Sequence, residues 1–160
     1  MLSEIKGKVW VLGDDVDTDA IIPAKYLVTS DPEELSKHFM EYNDPELAKK
    51  IGKGDIIVAG KNFGSGSSRE HAVITIKGLG VSCIIAENFA RIFFRNAINL
   101  GMPLIEAKIG VKNGDRITIN FNESKIYYMD KFQEFKKYPD FLKNIINEGG
   151  LINYVRDNQW

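Results

Sequence analysis

The middle of this 160-residue chain alternates short apolar runs with helical segments, and this alternation constrains the fold more than any other feature. We predict buried strands at residues 55–60, 82–86 and 103–106, because these runs are short and largely apolar. Helices are predicted between them at residues 69–79 and 88–100. Strands and helices that alternate with short connections are typical of a parallel β-α-β core. We therefore expect an α/β fold class.

The second of these helices has a regular apolar face, which we expect to pack against the sheet. The members of this face are Phe89, Ile92, Phe93, Ala97 and Leu100. Gly101 follows them and is the residue type that commonly ends a helix.

Weaker patterns flank the core on both sides. They predict a strand at residues 8–12, helices at 32–41 and 44–50, a β-hairpin of strands 116–121 and 125–129, and a helix at 140–148. The expected fold is thus a parallel β-α-β core with an added β-rich portion. We expect residues 1–160 to form one domain, because the length is that of a single domain.

Composition excludes several classes of protein. Hydrophobic residues make up 44% and charged residues 27% of the chain, as in ordinary globular proteins, and the net charge is −1. This balance gives no support for binding to nucleic acid or to a membrane surface. The chain has no apolar run of about 18 residues and no signal-peptide pattern at its start, so we expect a cytoplasmic protein. Its lone Cys83 cannot form an internal disulfide or a cysteine-rich metal site and is expected to be core packing.

A Gly-Ser turn, residues 64–71, lies between the first core strand and the helix that follows it. Ligands of open α/β sheets bind at such strand-to-helix connections. Gly64 and Gly66 permit backbone angles that other residues avoid, so main-chain N–H groups can converge on an anion near the helix N-terminus. We therefore interpret the turn as a candidate anion site.

Two alternative interpretations of this turn follow from its polar residues. Ser67 and Glu70 have the spacing of a capping box, so the turn could simply begin a helix. Arg69 could instead give a carboxylate two parallel hydrogen bonds. The turn lacks the Lys-Ser/Thr ending of a P-loop and the G-x-G-x-x-G spacing of a dinucleotide site.

Several motifs together make the chain similar to a known family. G-S-G-S-S-R-E-H at residues 64–71 resembles the G-x-G-S-S-R-E-H motif of the swivelling domain of the aconitase superfamily. Four further segments look like those of isopropylmalate isomerase small subunits: D-T-D-A-I-I-P-A at residues 17–24, Y-L-V-T at 26–29, and residues 54–60 and 89–101. Ser65 departs from many relatives, which have Cys there.

The resemblance implies an aconitase-type swivelling β/β/α domain and a hydro-lyase activity. Enzymes of this family move a hydroxyl group between adjacent carbons of a small dicarboxylate by removing water and adding it back. Their [4Fe–4S] cluster belongs to a separate large iron–sulfur subunit and acts as a Lewis acid. The resemblance therefore implies no metal or cofactor in this chain, and a heterodimer or heterotetramer with that large subunit.

By position, the resemblance also gives roles to residues of the turn. Ser67 is the candidate catalytic base, and Ser68 and Arg69 are candidates to bind a substrate carboxylate. A serine needs activation to act as a base, and the helix N-terminus with a neighbouring guanidinium could supply it. The residues that would support the turn are Gly64, Ser65, Gly66, Glu70 and His71.

The specificity loop, residues 26–29, carries the argument about the substrate. Its residues are Tyr26, Leu27, Val28 and Thr29. In relatives that act on homocitrate, an arginine stands in the middle of this loop, where Val28 stands here. Valine can pack on an isopropyl group but cannot pair with a carboxylate, so isopropylmalate is favoured. Thr29 is shared with the homoaconitase form, and citramalate and dimethylmalate also remain open.

Other polar residues have simpler interpretations. Asp14, Asp15, Asp17 and Asp19 lack the spacing of a calcium loop, so we expect them to form turns and caps. His38 is expected to be exposed on a surface helix. Arg91 and Arg95 lie one helical turn apart and could face the partner or brace the turn. A second class of function stays open, a non-catalytic module that binds an anion at the same turn.

Overall fold

The computed structural model describes residues 2–158, and one seven-stranded sheet runs through this part of the chain. The strands are β1 (Glu4–Val11), β2 (Ile56–Val58), β3 (Cys83–Ala86), β4 (Leu104–Glu106), β5 (Arg116–Asn120), β6 (Lys125–Tyr128) and β7 (Lys131–Glu134). The helices are α1 (Thr18–Ile21), α2 (Pro32–Ser36), α3 (Leu47–Lys50), α4 (Glu70–Gly78), α5 (Arg91–Asn99), α6 (Asp140–Asn147) and α7 (Leu151–Asp157). A 3₁₀ turn lies at Ala24–Tyr26.

The strand order is β4-β3-β2-β1-β5-β6-β7, and β1 joins two kinds of pairing. From β4 to β1 the neighbours are parallel, whereas β5, β6 and β7 continue the sheet with antiparallel pairs. Within β1, residues 9–11 pair with β2 and residues 4–8 pair with β5. The predicted parallel β-α-β core and its added β-rich portion are therefore confirmed.

Each face of the sheet packs against its own hydrophobic core. In β2, Ile57 belongs to the core under α1–α5, while Ile56 and Val58 belong to the core under the C-terminal segment. In β3, Ile84 belongs to the core under α1–α5 and Cys83 to the core under the C-terminal segment. Side chains of a strand alternate between faces, so a strand covered on both faces has an unbroken apolar run. This explains why the core strands were visible in the sequence.

The helix predicted at residues 32–41 ends early. It spans only Pro32–Ser36, with Asp31 as its N-cap, as expected from the Asp-Pro pair. Met40 has a left-handed φ of 54°, and its N–H donates to the carbonyl of Ile21 at 3.1 Å. The chain thus leaves the helix to bond to a distant segment, which the local pattern did not reveal.

Other boundaries differ because of tertiary contacts. β1 begins at residue 4 rather than 8, since its first half pairs with β5. Helix α5 begins at Arg91 rather than 88, since Phe89 makes a bridge with Phe63. Ile92 was expected in the core but is 47% exposed. Strand β7 and helix α7 were not predicted; β7 is exposed along its whole length and so lacks an alternating apolar pattern.

Within residues 2–158, every helix is too short or too polar to cross a membrane.

Candidate functional site

Three loops meet at the carboxyl edge of the parallel strands. They follow β1, β2 and β3, and backbone hydrogen bonds join them beyond the ends of the strands. These bonds run from Gly64 N to Val16 O (2.7 Å), from Thr18 N to Ser65 O (2.8 Å) and from Ala90 N to Phe63 O (2.9 Å). The Gly-Ser turn is the middle loop, so its backbone is bonded on both sides. This is the edge where open α/β sheets bind ligands.

The two glycines of the turn are required for different reasons. Gly64 has a φ of +82°, and a Cβ added there would lie 2.3 Å from Cγ of the buried Phe93. Gly66 has a φ of +93°, but the nearest atom to an added Cβ is Thr18 Oγ1 at 3.4 Å. Gly64 is therefore fixed by both conformation and space, and Gly66 by conformation alone.

The predicted capping box is wrong. Helix α4 begins at Glu70, and its N-cap is Arg69, which has an extended backbone and makes no side-chain cap bond. Ser67 contributes its carbonyl, which accepts a hydrogen bond from Thr18 Oγ1 at 2.9 Å. Neither Ser67 Oγ nor Ser68 Oγ bonds to another group within residues 2–158, and both residues are exposed. The Ser67 hydroxyl thus has no structural task in this part of the chain.

A cleft of about 290 Å³ brings together five of the predicted turn residues, whereas Ser65, Glu70 and His71 do not line it; the five are Gly64, Gly66, Ser67, Ser68 and Arg69. Ser67, Ser68 and Arg69 line one side, and the first turn of α5, including Arg91, lines the other. The sequence had suggested Arg91 and Arg95 as residues that could brace the turn; Arg91 lines the cleft and Arg95 does not. The contribution of α5 follows from the topology, because α5 follows β3, whose carboxyl end is next to that of β2. The cleft therefore lies between two helix N-termini, which favour negative charge.

A larger groove of about 670 Å³ lies between α5 and the C-terminal helices. It is lined by Arg95 and by apolar residues of α5, α6 and α7, and it contains none of the Gly-Ser turn. Arg91 borders both the groove and the cleft. The chemistry of the turn therefore belongs to the smaller cleft.

An ion pair holds the side chain of Arg69 in place beside the cleft. Its Nη1 atom lies 3.2 Å from Asp19 Oδ1, and its side chain is only 18% exposed. The same atom also approaches the carbonyl of Ile22 at 3.5 Å. Asp19 was predicted only to form a turn, and its pairing with Arg69 was missed. Since only one nitrogen of the guanidinium is engaged in the described chain, the others can donate to a carboxylate.

The structure does not place the specificity loop in this cleft. Val28 is 93% exposed and is not among the residues that line it. Tyr26 and Leu27 pack partly against the core, and Thr29 Oγ1 accepts a hydrogen bond from Asp31 N at 3.1 Å. The loop thus presents its valine to the outside of this chain.

The prediction that His38 is exposed is wrong. Its side chain is 22% exposed, and its ring stacks on Tyr26 with centroids 3.7 Å apart. Glu41, which the sequence did not single out, bonds to both residues. The hydrogen bond from Tyr26, followed by that from His38, holds the pKa of the Glu41 carboxyl below its ordinary value.

The described residues do not form a metal site. No group of three or more His, Cys, Asp or Glu side chains lies together in residues 2–158 so as to hold a metal ion. Burial of Cys83 raises the pKa of its thiol, which disfavours the thiolate that binds iron. Asp14 and Asp17 accept backbone N–H groups of Lys61 and Ala20, each at 2.7 Å, as expected for turns and caps.

Comparison with known proteins identifies the family of the chain. A model of the aconitase C-terminal domain matches residues 12–108. The 3-isopropylmalate dehydratase small subunit of Halothermothrix orenii is 53% identical over 158 residues, which cover 96% of each chain. The isopropylmalate/citramalate isomerase small subunit of Methanocaldococcus jannaschii is 52% identical over 161 residues, covering 98% of this chain and 96% of the relative.

A solved structure of a related protein has the same fold. The crystal structure of a 3-isopropylmalate dehydratase from Methanocaldococcus jannaschii matches with a TM-score of 0.93 and 46% identity, over 98% of this chain and 95% of that one. The chain therefore belongs to the family of 3-isopropylmalate dehydratase small subunits, which is built on the aconitase C-terminal domain.

Proposed function

We propose that this chain is the small subunit of a 3-isopropylmalate dehydratase in leucine biosynthesis. The enzyme would interconvert 2-isopropylmalate and 3-isopropylmalate through 2-isopropylmaleate by removing and adding water. Relatives about 50% identical over nearly the whole chain have this name. The observation that carries the proposal is the Ser67 hydroxyl, which makes no hydrogen bond within residues 2–158 and lies beside an anion-favouring cleft.

Ser67 acts as the base in this proposal. Its Oγ, as the alkoxide after loss of its own proton to water, takes the proton from the carbon next to a carboxylate and becomes the neutral hydroxyl, and the C–H electron pair forms the double bond as hydroxide leaves the adjacent carbon. Reversal of these steps with the opposite orientation gives the isomer. The N-termini of α4 and α5 and the guanidinium of Arg69 favour negative charge at Oγ. Ser68 and Arg69 hold the substrate carboxylate, and the rest of residues 64–71 supports them.

A partner must complete the site, because the cleft is open and Val28 is exposed. We infer that the partner is the large iron–sulfur subunit, in a cytoplasmic heterodimer or heterotetramer. Its [4Fe–4S] cluster would supply the Lewis acid for the departing hydroxyl. The described residues of this chain do not fit such a cluster, since Cys83 is buried and its thiol has a raised pKa. Residues 1–160 would act as one swivel domain.

Citramalate is the second candidate substrate. The Methanocaldococcus jannaschii relative is named an isopropylmalate/citramalate isomerase small subunit. Citramalate has a methyl group where isopropylmalate has an isopropyl group, and an exposed valine can contact either. Homocitrate is disfavoured because residues 26–29 contain no cation to pair with its third carboxylate.

Reconstitution with the large subunit tests the proposal. The complex is assayed on isopropylmalate, citramalate and homocitrate, and Ser67→Ala is expected to lower kcat by about 10²- to 10⁴-fold, the usual contribution of a positioned base. Assembly and thermal stability should not change, because the hydroxyl makes no bond in the described chain. Ser82→Ala, at the opposite end of the parallel strands, is the control for activity: its hydroxyl bonds to the carbonyls of Gly54 and Asp55, so its loss should lower stability and leave kcat unchanged.

Two results would count against a catalytic role. If the chain never associates with a large subunit, or if Ser67→Ala retains normal turnover, the non-catalytic anion-binding module becomes the better interpretation. Turnover of homocitrate with isopropylmalate ignored would contradict the substrate assignment alone.

A further inference from the structure

The specificity loop begins at a cluster of three side chains that the reaction itself does not use. Tyr26 Oη donates a hydrogen bond to Glu41 Oε2 at 2.6 Å, and His38 Nδ1 lies 3.0 Å from Glu41 Oε1. The rings of Tyr26 and His38 are stacked, with their planes 7° from parallel. Stacking fixes the plane of the Tyr26 ring, and the carboxylate fixes its hydroxyl. Tyr26 therefore has little freedom to move.

A second contact holds the chain where the loop ends. Ser30 Oγ, directly after the loop, lies 3.4 Å from Nε2 of His71. His71 is the second residue of α4, and its carbonyl accepts a hydrogen bond from Thr75 Oγ1 at 2.7 Å. The end of the loop is thus attached to the helix that follows the Gly-Ser turn.

Val28 lies between these two attachments without support of its own. It is 93% exposed, so its side chain packs on almost nothing in this chain. One residue separates it from Tyr26 and one from Ser30, and each residue spans at most about 3.6 Å. The contact of Ser30 is long (3.4 Å) and that of Tyr26 short (2.6 Å), so the position of Val28 depends above all on Tyr26.

We propose that His38 and Glu41, acting through Tyr26, are positioning residues that set the place of Val28 and hence the choice between substrates. This inference rests on the proposed function. A hydrophobic contact distinguishes substrates that differ by methyl groups only by roughly 10- to 200-fold. Such a small difference is lost readily if the valine can move away from the substituent it should contact.

A purely structural role for the cluster has different consequences. If the Tyr26–Glu41 hydrogen bond only stabilised the fold, its loss would lower the melting temperature and change the measured activity on all substrates by the same factor. A positioning role instead changes the ratio of kcat/KM for isopropylmalate to kcat/KM for citramalate. That ratio is independent of how much complex is folded.

Tyr26→Phe in the reconstituted complex tests the proposal, because it removes the hydroxyl and keeps the stacked ring. We expect the isopropylmalate-to-citramalate ratio to fall by about 3- to 10-fold, the usual effect of one hydrogen bond, mainly through a higher KM for isopropylmalate. Glu41→Ala should shift the ratio in the same direction. Glu41→Ala also removes the contact with His38, so the double variant should shift the ratio no further than Glu41→Ala alone, because Tyr26→Phe removes one of the same bonds.

Tyr127→Phe is the matched control. Tyr127 Oη also donates to a glutamate, Glu123, but at the antiparallel end of the sheet. Its loss should leave the ratio unchanged. If the wild-type complex is active and Tyr26→Phe leaves the isopropylmalate-to-citramalate ratio unchanged, this inference alone is overturned. A wild-type complex that converts neither substrate would overturn the proposed function and this inference with it.

Discussion

The Gly-Ser turn and the specificity loop are neighbours in the fold but are held by different means. The turn is bonded mainly through its backbone: Gly64 bonds to Val16, Ser65 bonds to Thr18, and the Ser67 carbonyl accepts from Thr18 Oγ1. Within residues 2–158, the loop has backbone bonds only at its start, where Tyr26 and Leu27 end the 3₁₀ turn, and side-chain contacts at its two ends, while its central Val28 is exposed. A base must keep its place to within a fraction of an ångström, and the bonds between the loops at the edge of the sheet provide this.

This difference separates the chemistry from the choice of substrate. Most bonds of the turn join backbone atoms and so do not depend on side-chain identity; the bond at Ser67, which needs Thr18 Oγ1, is the exception. Side-chain anchors can be replaced one at a time, so the loop can change its specificity while the base stays in position. Substitutions in the two regions should therefore have different kinds of effect.

The largest effect on stability is expected from Gly64→Ala in the turn. A left-handed backbone costs an L-residue roughly 1–2 kcal/mol, and overpacking against Phe93 adds about 1–3 kcal/mol, so we expect a loss of about 3 kcal/mol. Gly66→Ala has the same backbone strain without the clash and should cost about 1 kcal/mol. Urea unfolding measures both, and equal losses would contradict the close contact with Phe93.

In the loop, Val28→Arg should change activity and leave stability alone. We expect kcat/KM for isopropylmalate to fall by about 10- to 200-fold, because a cation replaces an apolar contact. The melting temperature should not move, since Val28 is 93% exposed. Val155→Arg, at a half-exposed valine on α7, is the control. Unchanged activity in Val28→Arg would mean that this residue does not contact the substrate.

The smallest effect is expected from Asp19→Ala. Asp19 pairs with Arg69 at 3.2 Å and is itself 57% exposed. Exposed ion pairs contribute little, so loss of this support should raise KM about 2- to 5-fold with kcat nearly constant. Glu46→Ala removes an exposed pair with Lys49 far from the turn and should leave KM as it is. A lower KM for Asp19→Ala would show that Asp19 competes with the substrate rather than orients Arg69.

The sequence was sufficient to predict the elements that depend on local patterns. The strands around Ile57 and Ile84 were visible because both faces of the sheet are covered, which requires an apolar residue at every position. The place of the Gly-Ser turn followed from its position after a core strand. These features depend only on short segments, so a single sequence is enough to predict them.

The sequence failed where distant segments decide the local structure. Ser67 and Glu70 have capping-box spacing, yet pairing of the turn with Thr18 holds Arg69 extended and moves the start of α4 to Glu70. Tyr26 and Glu41 are 15 positions apart, and no periodic pattern links them. Such contacts exist only once the fold brings the segments together.

Strand β1 also has a consequence for how the chain folds as it is synthesised. It is made before both of its partners, which are β2 (Ile56–Val58) and, much later in the sequence, β5 (Arg116–Asn120). Contacts between distant segments close large loops and slow folding. One edge of β1 can therefore pair once β2 has been made, whereas the edge that faces β5 stays unpaired until residues 116–120 arrive. The hairpin of β5 and β6 is therefore needed to complete the sheet around β1, although it lies far from the reacting groups.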